Sequence, residues 1–220
     1  MVRTYTLTAD PTTLPFRETT TTMAPNAVHT KDAILDAARE LVLERGVQHA
    51  TVSAISEGSG APVGSLYHHF GSRDDLVAEL WVRAVRRSQA TFLAAARQPN
   101  AEAAAVGAAL SIHDFAREHR DDARLLVSFR REDLLHDARS PRLVQALGDL
   151  NHPLGEAVAD LARRFFGRAT QDAIAQMTFA VIDLPFGAVR RHLVAGAEFP
   201  AALREPLRAA VRAALRARRR

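Results

Sequence analysis

Residues 58–70 read Gly58-Ser-Gly-Ala-Pro-Val-Gly-Ser-Leu-Tyr-His-His-Phe70, and this stretch decides the fold. It predicts a tight glycine-containing turn followed by a short helix that ends at an aromatic residue, and it carries no charged side chain. An amphipathic helix is predicted upstream over 30–46 and a second, short helix over 51–57, while Ser72 begins a long third helix. This order of helices is that of a helix-turn-helix DNA reader followed by a connecting helix.

The segment before the turn carries its own helix signals. Thr30 is a good N-cap, and Asp32 places negative charge in the first turn, where the helix dipole favours it. Gly46 suits the end of this helix and Thr51 the start of the next. Apolar residues recur at intervals of three and four, which predicts one buried stripe. They are Ile34, Leu35, Ala38, Leu41 and Val42.

The basic character of the chain does not by itself identify the DNA-binding segment. The 220 residues have a net charge of +4 and a pI near 10.5. Seven arginines against Glu205 give residues 201–220 a charge of +6, whereas four basic and eight acidic residues give 30–80 a charge of −4. Composition alone therefore does not select 30–80 as a nucleic-acid binder.

Cysteine and hydropathy exclude several classes of protein. The chain has no cysteine, which excludes disulfides, thiolate metal sites and cysteine nucleophiles and favours a cytoplasmic protein. No apolar run approaches the roughly 18 residues of a membrane helix, so no membrane association is expected. No signal peptide is expected before residue 30 either.

Residues 1–29 are predicted to be a disordered leader, because they hold nine threonines and three prolines without hydrophobic periodicity. A minor-groove arm is the alternative, although Arg3 and Arg17 are its only basic residues. Met23 is an alternative start of translation.

The rest of the chain predicts an all-α protein, since it is rich in Ala, Leu, Arg and Glu and lacks β-type alternation. Residues 30–78 are expected to form a helix-turn-helix domain and 79–220 a helical domain for ligand binding and dimerisation. The predicted helices span 30–45, 51–58, 62–69, 72–97, 101–119, 121–136, 140–166, 170–195 and 200–217.

Three stretches together resemble the DNA-binding domain of the TetR family over roughly residues 30–80. They are Thr51-Val-Ser-Ala-Ile55, Gly60-Ala-Pro-Val-Gly-Ser-Leu-Tyr-His-His-Phe70 and Ser72-Arg-Asp-Asp-Leu76. The resemblance implies a homodimeric transcriptional regulator, usually a repressor, that binds double-stranded operator DNA. It also implies release from DNA by a small molecule bound in the C-terminal domain.

The helix after the turn is expected to present one face to DNA, because Leu66 and Phe70 are four residues apart and face inward. Pro62 suits its first helical position. The bidentate readers Arg, Lys, Asn and Gln are absent from 58–70, and the family often has a polar or basic residue where Val63 stands. Base readout is therefore expected to be thin and phosphate contacts to dominate. The predicted DNA-binding residues are Thr51, Val63, Gly64, Ser65, Tyr67, His68 and Arg73, whereas His69 is expected to pack or to cap the turn.

The C-terminal domain is expected to dimerise through helices 170–195 and 200–217, which by resemblance form a four-helix bundle with a second copy. Pro185 should kink the first of these, either opening space for a ligand or shaping the interface. Polar or large residues on apolar faces are candidates for contacting the effector, with core packing as the alternative for each. They are His113, Phe129, Asp133, Met177 and Phe186.

Catalysis is not expected. The chain has no His-Glu-x-x-His, Gly-x-Ser-x-Gly or phosphate-loop pattern, and Asp133 with His136 supplies only one helical pair of potential metal ligands. No cofactor or metal is therefore predicted. A dimeric helical protein that binds small molecules without binding DNA is the remaining alternative.

Overall fold

The structure is a computed structural model that describes residues 30–129, 134 and 140–217, and within these ranges it contains helices and no strand. The predicted leader, Asp133, His136 and residues 218–220 lie outside the described residues. The helices are α1 Lys31–Arg45, α2 Val52–Ser59, α3 Val63–Phe70, α4 Arg73–Ala96, α5 Ala101–Glu118, α6 Arg120–Ser128, α7 Pro141–Asp149, α8 His152–Phe166, α9 Gln171–Val194 and α10 Arg204–Arg216. The all-α prediction is confirmed.

The N-terminal helices begin where the sequence predicts. The Oγ1 atoms of Thr30 and Thr51 accept hydrogen bonds from the third residues of α1 and α2, both at 3.2 Å, and the Ser72 Oγ accepts one from the Asp75 N–H at 3.0 Å. Helices α1 to α4 share one small apolar core. Its fully buried members include Ile34, Ala38, Ile55, Leu66, Leu76 and Leu80.

A glycine turn separates α2 from α3. Gly60 lies in the left-handed region with φ +68°, as the sequence predicts for this turn. The turn is held by Ser56, whose hydroxyl donates to the Ala61 carbonyl at 2.6 Å, and by Ser59, whose hydroxyl accepts the Ala61 N–H at 3.2 Å. Pro62 is the N-cap of α3 and not its first helical residue, which corrects the prediction by one position.

The long helix α4 connects the N-terminal helices to the rest of the chain. It continues without a break through the domain boundary predicted near residue 78, so that division stays a prediction. Its C-terminal half packs with α5, α8, α9 and α10 around a core rich in alanine. The alanines of α5 at 104, 105, 108 and 109 are all completely buried, which lets neighbouring helices approach closely.

The predicted single helix 140–166 is wrong, because the structure has two helices that meet at Leu150 and Asn151. Pro153 has no N–H to donate to the Asp149 carbonyl, so the hydrogen-bond ladder is interrupted there. The Gln89 side-chain amide of α4 donates to the Leu150 carbonyl at 2.9 Å. This contact gives the Leu150 carbonyl a hydrogen-bond donor at the break between the two helices.

Helix α6 is shorter than the predicted 121–136. It ends at Ser128, where the hydroxyl donates back to the Arg124 carbonyl at 2.9 Å, and Phe129 is extended with φ −129° and ψ 152°. A serine hydroxyl that bonds to the preceding turn competes with continuation of the helix. The last predicted helix also starts later, since residues 201–203 form a 3₁₀ turn before α10.

Pro185 is accommodated within α9 by a widened turn. Residues Phe179–Asp183 form a π-helical segment between α-helical Gln171–Thr178 and Leu184–Val194, so the ring of Pro185 follows a turn that already departs from the α ladder. The π-helical segment precedes Pro185, and the kink at Pro185 stays a prediction.

Helix α9 also corrects the expectation about membrane helices. Its 24 residues are long and apolar enough to meet a length-and-composition criterion for a membrane span, with a mean hydropathy of 1.3 and one third of the apolar window buried. The buried core helix of a soluble protein meets the same criterion, so this single helix does not establish a membrane span.

Candidate nucleic-acid interface

Helix α3 divides into a buried and an exposed face. Leu66 and Phe70 are 2% and 6% exposed and anchor the helix on the N-terminal core, as predicted. Val63 and Tyr67, one turn apart, are 42% and 52% exposed, which is unusual for residues of this size. A side chain at Gly64 would meet open space. The exposed face is therefore apolar and aromatic, and unobstructed at its centre.

The remaining polar residues of α3 differ in their exposure to solvent. Ser65 is half-buried, and its N–H donates to the Pro62 carbonyl at 2.8 Å. His68 is exposed, as a DNA-contacting residue should be. Of the two roles predicted for His69, packing is not observed, because its side chain is exposed and meets Phe70 edge to face with ring centroids 6.1 Å apart.

Lys31 holds the end of α3 against α1 and α4. Its ammonium lies 5.2 Å from the centre of the Phe70 ring and forms an ion pair with Glu79. A cation over an aromatic ring contributes about 0.5–2 kcal/mol, depending on exposure. Spacing along the chain does not reveal that Lys31 and Phe70 meet, so this contact cannot be predicted from the sequence.

The two predicted phosphate-binding residues outside α3 also have structural roles. The Thr51 hydroxyl oxygen caps α2, and its side chain is exposed. The guanidinium of Arg73 donates through Nε to the Ala50 carbonyl at 3.1 Å, through Nη2 to the Val47 carbonyl, and through Nη1 to Asp74 at 3.0 Å. Arg73 thus secures the connection between α1 and α2. These three hydrogen bonds leave two of its five N–H groups for a phosphate.

Substitution of Arg73 by Ala is expected to lower the free energy of unfolding by about 1–2 kcal/mol, because two carbonyls of the α1–α2 connection lose a charged donor. Urea unfolding of the purified protein measures this. Arg168→Ala is the control, because Arg168 is exposed and has no hydrogen bond or ion pair within the described part of the chain. Equal stability of the two variants would contradict the structural role of Arg73.

A buried carboxylate joins the N-terminal helices to α6. Asp122 is 3% exposed and accepts from Arg39 of α1 and Arg87 of α4, each at 2.9 Å. Burial raises the pKa of Asp122, but the hydrogen bonds and charges of Arg87 and Arg39 outweigh burial, so its pKa lies below the ordinary value. The neighbouring Leu125 of α6 is completely buried in the N-terminal core. Helix α6 is therefore fixed to α1 and α4 by charge and by packing.

The predicted effector contacts do not converge on one cavity within the described ranges. Met177 is fully buried in the central core, Phe129 packs against α1 and α4, and Phe186 is 39% exposed on the outer face of α9. His113 is 1% exposed and lies elsewhere, edge to face with Phe199 at 5.0 Å between ring centroids. Asp133 falls outside the described residues.

His113 is the predicted ligand residue with the clearest chemistry. Its Nδ1 lies 2.8 Å from Asp114, while its buried Nε2 has no hydrogen-bond partner among the described residues. Asp114 also receives both arms of Arg204, each at 2.9 Å. The hydrogen bond from Arg204 lowers the pKa of Asp114, and that from His113 adds to the effect, against the rise caused by burial. In the neutral imidazole, the charged carboxylate favours a proton on Nδ1, which leaves Nε2 as an acceptor.

Residues 34–80 match the family profile described as bacterial regulatory proteins, tetR family. This chain therefore contains a TetR-type domain over these residues. Over 47 residues it is 45% identical to the transcriptional repressor KstR2 of Mycobacterium tuberculosis, a match that covers 21% of this chain and 24% of KstR2. The matched region thus spans about a quarter of that curated relative. Its relatives regulate transcription and are not enzymes, in agreement with the sequence prediction.

Solved TetR-family structures share the fold over most of the chain. The regulator PfmR of Thermus thermophilus is 18% identical with a TM-score of 0.64, and the match covers 85% of this chain and 99% of PfmR. FadR of Bacillus subtilis, solved in complex with stearoyl-CoA, is 13% identical with a TM-score of 0.63, covering 86% of this chain and all of FadR. At these identities the likeness establishes the TetR fold alone.

Proposed function

We propose that this protein is a sequence-specific DNA-binding regulator of transcription, acting in the cytoplasm as a homodimeric repressor that a small-molecule effector releases from its operator. The exposed face of α3 carries the proposal, because Val63, Gly64 and Tyr67 have no role in the core and stand on a short, firmly anchored helix. In helix-turn-helix proteins the second helix enters the major groove in this way.

The proposed contacts divide into two groups. Val63 and Ser65 approach base edges, with the Val63 methyl groups suited to a thymine methyl, while Gly64 allows close approach of the helix. Tyr67 and His68 lie one turn further and contact phosphates or base edges. Thr51 and Arg73 add phosphate contacts beside their structural roles. Because α3 has no bidentate reader, much of the affinity is expected to come from phosphates and DNA shape.

The proposed dimer forms through the outer faces of α9 and α10. Phe179, Phe186 and Val194 of α9 are 52%, 39% and 60% exposed, which leaves a large apolar strip uncovered on one protomer. Helix α10 adds small exposed residues, including Ala209 and Ala213, that permit close helix packing. A twofold arrangement of these two helices buries the same strip on both copies.

Substitution of Phe186 by Glu is expected to convert a dimer into a monomer, because two buried carboxylates would enter an apolar interface. The dimer loses two aromatic contacts and must bury two charges. The dimer dissociation constant should therefore rise at least about a hundredfold. Light scattering coupled to gel filtration measures the mass. Val144→Glu is a matched control, since Val144 is 41% exposed on α7. A Phe186→Glu dimer would exclude this face as the interface.

We place the proposed effector site around the buried Nε2 of His113. The candidates Met177, Phe129 and Phe186 lie in other parts of the fold, and Asp133 lies outside the described residues. An apolar ligand with one hydrogen-bond donor would satisfy this nitrogen and bury its body among the surrounding apolar side chains. The stearoyl-CoA bound to FadR makes long-chain acyl thioesters reasonable first probes.

The experiment is a gel shift of the purified protein on the intergenic DNA beside its own gene, with candidate metabolites added. Retarded DNA that a metabolite releases is the expected result. A dimer that binds metabolites but shifts neither this DNA nor any selected sequence would favour the alternative, a helical small-molecule-binding protein without DNA binding.

A further inference from the structure

A groove of about 590 Å³ lies between the N-terminal helices and α7, and His113 does not line it. Its size is that of a small-molecule site. Helix α4 forms one wall and α7 the other, and Lys31, His69 and Phe70 also line it. The groove thus reaches the carboxyl end of α3.

Basic side chains outnumber acidic side chains along the groove. Its lining includes five basic side chains, Lys31, Arg83, Arg86, Arg87 and Arg142, and three carboxylates, Asp32, Asp75 and Glu79. Each carboxylate already has a partner in the protein. Asp32 pairs with Arg83, Glu79 pairs with Lys31, and Asp75 accepts the Ser140 N–H at 3.1 Å.

Two arginines in the groove are uncommitted. Arg86 of α4 and Arg142 of α7 are exposed, and neither has a hydrogen bond or ion pair with any of the residues that the structure describes. Arg83 and Arg87, by contrast, are paired with Asp32 and Asp122. Two guanidinium groups on facing helices, without an internal carboxylate, are arranged to receive an external anion.

The surface beside these arginines is apolar. On α4, Val82 and Ala90 lie one turn before and one turn after Arg86, and on α7, Leu143 follows Arg142. Leu35, Phe70, Val82 and Leu143 also line the groove and are 4%, 6%, 4% and 5% exposed. A ligand here meets a hydrophobic floor and a cationic rim.

We propose that this groove binds a small amphiphilic anion, whose apolar body lies on the floor and whose carboxylate or phosphate group lies between Arg86 and Arg142. Bound there, it would bridge α4 and α7. The Asp75 contact with Ser140 links the start of α7 to the first turn of α4, beside the proposed site.

Octanoate and octyl phosphate are suitable probes, with octan-1-ol as the neutral counterpart of the same chain length. Trp81, the single tryptophan, shares an apolar cluster with Leu143 and Leu147 of α7, so its fluorescence reports on this region. Titration calorimetry on the full chain, without DNA, gives the affinities. We expect at least one anion to bind about tenfold more tightly than the alcohol, and the two probes distinguish a carboxylate from a phosphate ligand.

The double variant Arg86→Gln/Arg142→Gln should lose at least tenfold in anion affinity while keeping the affinity for octan-1-ol and the thermal unfolding midpoint. Arg168→Gln removes an exposed arginine outside the groove and should change neither affinity. Absence of anion binding, equal binding of anion and alcohol, or unchanged anion affinity in the double variant would overturn the proposal. Because the assay contains no DNA, these outcomes are independent of the proposed function.

Discussion

The double variant Ser65→Ala/Tyr67→Ala is expected to bind operator DNA about a hundredfold more weakly than the unaltered protein at the same salt concentration. It removes two proposed contacts from the exposed face of α3, and a contact to DNA is typically worth about 1–3 kcal/mol. The fold should survive, because Tyr67 is 52% exposed and the anchors Leu66 and Phe70 remain. Fluorescence anisotropy with labelled DNA measures the affinity.

The control for this variant is Val144→Ala, which removes an apolar side chain of similar exposure, 41%, from α7. It should bind DNA like the unaltered protein. The far-ultraviolet circular dichroism and the dimer mass of the double variant should also be unchanged. Retained DNA affinity in a folded, dimeric double variant would show that another surface binds DNA.

Substitution of Asp122 by Ala is expected to lower the free energy of unfolding by about 3 kcal/mol. The change leaves the guanidinium groups of Arg39 and Arg87 without their shared carboxylate, and removing one member of a buried ion pair typically costs about 3–5 kcal/mol. We expect the lower value of this range because the side chain of Arg87 is 43% exposed. For a chain of this size the melting temperature should fall by roughly 10 °C. Asp121→Ala, an exposed neighbour in the same helical turn, should cost less than about 1 kcal/mol.

The contribution of Asp122 should depend on pH with a definite sign. Its pKa is lower in the folded protein than in the unfolded chain, where the pKa of an aspartate is about 3.9. The charged form therefore stabilises the fold at neutral pH, and this stabilisation is lost as pH falls below about 4 through the folded pKa. The stability difference between the unaltered protein and Asp122→Ala should be constant from about pH 5 to 7 and shrink below pH 4. A difference that grows on acidification would contradict the ion-pair assignment.

Local signals make helices α1 to α4 predictable from the sequence. Thr30, Thr51 and Ser72 each cap a helix, and Gly60 adopts the positive φ that its turn requires. Caps and glycine turns act over three or four residues, so their effects can be read along the chain. The long-range contacts could not be read in this way. The sequence predicts Arg73 as a phosphate contact, whereas the fold places two backbone carbonyls beside its guanidinium group.

The C-terminal helices were predicted less well because tertiary contacts decide their ends. The break at Leu150 depends on Pro153 and on an amide from Gln89, 61 positions earlier in the chain. The candidate ligand residues were selected by helical face, yet several faces of a buried helix are apolar, and each of His113, Phe129 and Met177 packs in a different place. The pairing of Arg39 and Arg87 with Asp122 joins three helices, which no periodicity along one helix can reveal.

The central claim is that a dimer reads DNA through α3. Selection of binding sites from randomised duplex DNA by the purified protein tests it most directly. The selected sequences should converge on an inverted repeat whose half-sites lie about one or two helical turns apart. Base preferences should be modest, without a guanine that requires a bidentate side chain from α3. The Ser65→Ala/Tyr67→Ala variant should select nothing under the same conditions. Failure of the unaltered protein to enrich any sequence, or enrichment of the same sequence by the variant, would contradict the assignment of α3 as the reading helix.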